Sequence, residues 1–110
     1  MNTGELIREI IATYGRHGWR LRRVLLQPET RAGLERGSQE FFGSTRVQES
    51  DFDALWFERA SHAKREAWEL RLIAEQPYAL FEAFEADEPE EERQEARREM
   101  ENRMREAVKK

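Results

Sequence analysis

The sequence contains no cysteine among its 110 residues. This absence excludes disulfides, thiolate nucleophiles and every cysteine-based zinc or iron–sulfur site. Histidine is scarce too, because His17 and His62 are the two present, and neither lies at a metal-site spacing from another histidine or a carboxylate. We therefore expect no metal, no cofactor, and a fold that depends on packing alone.

Long apolar runs are also missing, and none approaches the roughly 18 residues needed to span a bilayer. Residues 1–5 lack the charged and apolar regions of a signal peptide. We expect neither export nor membrane insertion, and hence a cytoplasmic protein. Hydrophobic residues make up 38% of the chain and aromatic residues 10%, which is too aromatic for a disordered chain and predicts a folded one.

Charged residues are abundant, at 38% of the chain, but their formal sum is only -4. A net negative chain lacks the pI above about 9 that is typical of a nucleic-acid-binding domain. Most of the basic residues are arginine, which favours bidentate and stacked ion pairs over simple solvation. Charge alone therefore argues against a nucleic-acid partner without excluding one.

The first third of the chain predicts helix, strand and helix. Leu6, Ile10 and Tyr14 recur at the spacing of one helix face. Apolar and arginine residues then alternate over 19–26, which predicts a strand. Pro28 ends that strand and opens a second helix, because proline is already set for a first helical turn.

Residues 37–52 show neither helical nor strand periodicity and contain several glycine and serine residues around Phe41 and Phe42. Long irregular connections in compact domains are often functional. We therefore interpret 37–52 as a loop with a hydrophobic anchor, and as the first place to look for a small-molecule site.

Three segments with two-residue alternation follow, at 55–59, 68–73 and 78–84, and they predict an antiparallel three-strand meander. Pairing residue 57 with residue 68 collects most large apolar side chains on one face. The other face then carries Trp56, Ile73 and Phe81 and needs a cover. The predicted core face holds Leu55, Phe57, Trp68, Leu70, Leu72, Tyr78, Leu80 and Phe84.

The sequence from Asp87 to Glu90 has a capping residue, a first-turn proline and a following glutamate, which together indicate the start of a helix. This helix is highly charged, and Met100 with Met104 forms the centre of a thin apolar stripe. We expect a compact domain over 1–86 and a helix over 87–110 that packs on it or extends to a partner.

These elements predict an α+β fold in the order α-β-α-β-β-β-α. The sheet is expected to have four mainly antiparallel strands, to end in the three-strand meander, and to carry its helices mainly on one face. The position of the first strand in the sheet is left open. The sequence carries no motif that identifies a family.

Our leading hypothesis is a non-catalytic binding or protein-interaction module that forms a homo-oligomer or binds another protein. It follows from apolar residues that exceed one sheet face and from the lack of a catalytic constellation. We do not favour an enzyme. The candidate interaction residues are Trp56, Ile73, Phe81, Met100 and Met104.

Two alternatives remain open. A nucleic-acid-contacting module would use Arg20, Arg22 and Arg23 to neutralise phosphates while Trp19 stacks on a base. A small-molecule-binding protein or enzyme would use the 37–52 loop, with Phe41 and Phe42 over its pocket.

Overall fold

The computed structural model describes residues 2–34 and 42–109, and in these residues five strands form one mixed sheet. The α+β class expected from the sequence is therefore confirmed. A 3-10 turn, His62–Lys64, connects two of the strands. The elements are α1 (Thr3–Arg16), β1 (Arg20–Leu26), α2 (Pro28–Gly33), β2 (Arg46–Glu49), β3 (Ala54–Ala60), β4 (Glu66–Leu72), β5 (Ala79–Phe84) and α3 (Glu90–Lys109).

The strands lie in the order β2-β1-β3-β4-β5. The last three are antiparallel neighbours, β1 is antiparallel to β3, and β2 is parallel to β1. The prediction of four strands was wrong, because β2 lies inside the segment 37–52 that we expected to be a loop. This strand has four residues, of which only Val47 is half-buried, so it has too little apolar alternation to be recognised.

The two long helices cover opposite faces of the sheet, which corrects the expectation that helices pack mainly on one face. We name these faces the α1 face and the α3 face. The core under α1 consists of Ile7, Ile10, Val24, Leu26, Phe42, Leu55 and Phe57. The core under α3 consists of Leu25, Phe52, Ala54, Trp56, Leu70, Met100 and Met104.

The register of β3 also differs from the expected one. Phe57 lies opposite Glu69, not opposite Trp68, and Trp56 lies opposite Leu70. Residues 54–57 are all buried, because the strand is covered on both faces. A continuous apolar run carries no alternation, so it cannot fix which residues share a face. The one-residue shift transfers Trp56 to the α3 face, and the predicted core face was wrong.

A β-bulge in β1 places two arginines on one face. Leu21 lies opposite Phe57 and Arg23 lies opposite Trp56, so Arg22 is an extra residue between these pairs. Because of it, Leu21 packs with the α1-face core although it lies an odd number of residues before the core residue Val24. Arg22 and Arg23 both reach the α3 face, where they line the same pocket.

Helix α3 packs on the sheet along its length. Arg93 forms an ion pair with Glu66 at 3.0 Å near the start of the helix. Further along, the Trp56 Nε1–H donates to the Glu101 carboxylate at 2.9 Å. The sequence left open whether Met100 and Met104 pack on the domain or contact a partner, and they are 1% and 0% exposed under this chain's own sheet.

We expect Met100→Ala and Met104→Ala each to lower the free energy of unfolding by about 2 to 5 kcal/mol, because each leaves a cavity in the core. Urea denaturation measures this change. Val108→Ala on the same helix is the control, since Val108 is 43% exposed and its truncation should change stability by less than about 0.5 kcal/mol. Methionine variants as stable as the control would contradict the packing of α3.

Candidate interaction surface on the edge strand

The α1 face is covered over β1 and β3 but exposed over β5. Ala79, Phe81 and Ala83 project from β5 on this face, and all three are exposed. Phe81 is 56% exposed and meets the ring of Trp19 edge-on at 6.4 Å. We name Ala79, Phe81 and Ala83 the exposed row.

The exposed row also directs its backbone groups away from the sheet. The Leu72 N–H donates to the Tyr78 carbonyl at 3.0 Å, so residues 72 and 78 are a hydrogen-bonded pair. Such pairs alternate along an antiparallel ladder, which makes 80, 82 and 84 the β5 residues that bond to β4. The N–H and C=O groups of 79, 81 and 83 therefore point outward, where no further strand lies within the described residues.

Strand β5 lacks the features that usually protect a sheet edge. Edge strands are commonly blocked by lysine, proline, a bulge or short length. Strand β5 contains no lysine or proline, and its register with β4 continues without a shift from Ala79 to Phe84. The opposite edge, β2, is four residues long and carries Arg46, Gln48 and Glu49. The two edges are therefore unequal, and β5 is the one open to pairing.

A polar group beside the exposed row is already satisfied. The Tyr14 hydroxyl donates to the Glu69 carboxylate, and its ring stacks on Phe57 at 4.1 Å. Arg71 donates to the carbonyls of Leu72 and Ala74. Burial raises the pKa of Tyr14 well above its usual value, and Glu69 raises it further while Arg71 opposes this. The tyrosine therefore stays a neutral donor that holds α1 against β4.

An open groove of about 570 Å³ runs between α1 and the segment after β4. Its walls combine apolar side chains such as Leu6 and Ile10 with Tyr14 and Arg71, whose polar groups make the contacts just described. Within the part of the chain that the structure describes, no group of three histidine or carboxylate side chains is suited to hold a metal ion.

The five predicted interaction residues are divided between the two faces. Trp56, Met100 and Met104 are buried on the α3 face, where all three belong to the same core. Ile73 is half-buried against the α1-face core. Phe81 is the most exposed of the five, so the structure leaves it as the member available to a partner.

The predicted basic cluster is divided as well. Trp19 lies on the α1 face under the Arg59 guanidinium, which is 4.5 Å from its ring. Arg22 and Arg23 lie on the α3 face. Regular alternation would place Trp19 and Arg23 on the same face, but the bulge at Arg22 puts them on opposite faces, so Trp19 cannot stack on a base that Arg22 and Arg23 hold.

The predicted loop site lies partly outside the described residues. Phe41 lies outside the described residues, whereas Phe42 is 5% exposed and belongs to the core under α1. Sequence reasoning did not single out Ala79 or Ala83, the other members of the exposed row. Ala79 and Ala83 alternate with Leu80 and Phe84 along β5, and this alternation indicates that the two pairs lie on opposite faces of the sheet. Nothing in the sequence indicated that β5 is an edge strand.

Comparisons with family models, curated proteins and solved structures found no match to this chain. Among the described residues, no helix is long and apolar enough to cross a membrane. The exposed row and its surroundings are therefore the features from which a function can be inferred.

The raised pKa of Tyr14 predicts that stability decreases with pH above about 10, the ordinary tyrosine value. There the unfolded chain loses the phenolic proton while the folded chain retains it. The free energy of unfolding therefore falls as pH rises. Ultraviolet phenolate titration should show a late-titrating tyrosine that Tyr14→Phe removes. Tyr78→Phe should retain it, and its loss in that control instead would contradict the assignment.

Proposed function

We propose that this chain is a non-catalytic interaction module that self-associates by pairing β5 with β5 of a second copy. One observation carries the proposal: Ala79, Phe81 and Ala83 combine exposed apolar side chains with outward-directed backbone groups. An added strand satisfies the backbone groups, and its side chains cover the row. A second copy is favoured over an unrelated strand because β5 is complementary to itself.

This self-complementarity follows from symmetry. A two-fold axis perpendicular to the sheet keeps the α1 faces of both copies on the same side, so residues of the exposed row lie opposite one another. When Phe81 pairs with Phe81 of the second copy, Ala79 pairs with Ala83. All outward backbone groups of both rows then bond across the interface.

The same register avoids a charge conflict. Glu82 is the charged residue of β5, and it lies on the α3 face beside Trp68. With the two Phe81 residues paired, Glu82 lies opposite Leu80 of the second copy and not opposite Glu82. Like charges placed directly opposite are destabilising, so a shift that pairs Glu82 with itself is disfavoured.

The expected dimer is reversible. Burying each Phe81 contributes about 1.5 to 3 kcal/mol, and each new hydrogen bond adds about 0.5 to 1.5 kcal/mol net. Association costs about 4 to 15 kcal/mol in lost freedom of motion. Because these terms are similar in size, the dimer population should depend on protein concentration.

We expect sedimentation equilibrium to show a monomer–dimer mixture that Phe81→Lys converts to monomer, because lysine opposes pairing at an edge. Ala83→Pro should do the same by removing an outward N–H, without loss of a bond to β4. Val108→Lys, at another exposed apolar residue, is the control and should dimerise normally. A wild-type monomer at high concentration, or dimeric Phe81→Lys, would refute the proposal.

A further inference from the structure

A second concave site lies on the α3 face, away from the exposed row. It is a pocket of about 330 Å³ between the first half of α3 and the start of β1. Arg22 and Arg23 enter it from β1, Trp56 and Trp68 form its floor, and Arg97 enters it from α3. Its volume is at the lower end of the range for small-ligand sites, about 300 to 1,000 Å³.

The bulge in β1 gives this pocket its arginines. In a regular strand Arg22 and Arg23 would point to opposite faces, but the extra residue directs both into the same pocket. Bulges often redirect side chains beside binding sites. Two adjacent guanidinium groups on one face would repel each other, so the arrangement requires negative charge nearby.

The protein supplies only part of that negative charge. Glu58 accepts ion pairs from Arg20 at 3.3 Å and from Arg22 at 3.8 Å, so one carboxylate serves two arginines. Arg23 is half-buried and forms no ion pair with any residue among 2–34 and 42–109. On the β1 side, Arg22 and Arg23 in the pocket and Arg20 beside it therefore make three guanidinium groups for one carboxylate, Glu58.

The α3 side of the pocket is balanced. Glu90 forms an ion pair with Arg97 at 2.8 Å, and Glu66 forms one with Arg93 at 3.0 Å. The Arg97 guanidinium also lies 4.5 Å from the centre of the Trp68 ring, which fixes its position. The lining of the pocket is formally neutral, with three arginines and three glutamates. Arg20 and Arg93, which pair with Glu58 and Glu66 from outside the lining, bring the whole group to a surplus of two positive charges, in a chain whose formal charge is -4.

We infer that this pocket binds the phosphate group of a small phosphate monoester, with Arg22 and Arg23 as its principal contacts. Guanidinium groups bind phosphate and carboxylate oxygens in a bidentate manner. A carboxylate carries one negative charge, whereas a phosphate monoester carries about 1.5 to 2 at neutral pH, which matches the surplus. The limited volume admits the phosphate and a small attached group.

The test uses the full chain, with O-phosphoserine as the probe and serine, acetate and inorganic phosphate as comparisons. We expect O-phosphoserine to shift the indole N–H resonances of Trp56 and Trp68 and to leave that of Trp19, on the α1 face, unchanged. Inorganic phosphate should produce the same pattern more weakly, and acetate should bind at least about tenfold more weakly than O-phosphoserine.

Arg23→Gln should weaken O-phosphoserine binding by about 10- to 100-fold, since it removes a charge-assisted contact. Arg22→Gln should act similarly, and because its side chain is 49% exposed, it provides a variant whose fold is not at risk. Arg31→Gln on α2 removes the same charge outside the pocket and should leave the affinity unchanged. Equal losses in all three variants would show unspecific attraction and overturn the assignment.

A single-stranded oligonucleotide, with and without a 5′ phosphate, distinguishes a terminal monoester from a nucleic-acid backbone. Binding that requires the 5′ phosphate supports the proposal. Binding of both forms with equal affinity, or no shift of Trp56 and Trp68 with O-phosphoserine at about 100 times the protein concentration, overturns it.

Discussion

The structure depends on covering β3 from both sides. Residues 54–57 are all buried, so both faces of the central strand must be shielded from water. Two separate apolar helix faces are needed, and they come from opposite ends of the described chain, α1 and α3. The remaining contacts follow from this requirement. Ile7 and Ile10 fill one face, and Met100 and Met104 fill the other.

One helix cannot cover a whole face. Strands lie about 4.8 Å apart and a helix with its side chains is about 10 Å wide, so one helix covers about two strands. Helix α1 lies over β1 and β3 and leaves β5 exposed on its face. Helix α3 crosses the sheet obliquely, over β4 and β5 near its start and over β3 further along, and leaves the start of β1 accessible. Both proposed sites therefore exist for the same reason: one helix is too narrow to cover a whole face of the sheet.

Local patterns predicted much of this fold. Helical spacing identified α1, alternation identified β1 and the meander, and the Asp87–Glu90 sequence marked the approach to α3, which begins at Glu90. The sequence could not reveal the register of β3, because a strand buried on both faces lacks alternation. It could not reveal the short polar strand β2 either.

The candidate sites were less accessible to sequence reasoning. Phe81 is one of the five predicted interaction residues and is exposed, but Trp56, Met100 and Met104 have the same apolar character and are covered by their own chain. Exposure depends on which strand lies at the edge and which helix crosses it, and neither is a local property. The bulge at Arg22 depends on long-range pairing with β3, so the shared pocket of Arg22 and Arg23 could not be predicted.

The order of the elements along the chain has a consequence for biosynthesis. A ribosome makes all five described strands before it makes α3. Until α3 emerges, the nascent sheet presents Trp56 and Leu70 to water on a face that has no other cover within the described residues. Such surfaces attract chaperones and promote aggregation. The interval between synthesis of β5 and docking of α3 is thus the period in which the nascent chain is most vulnerable to misassembly.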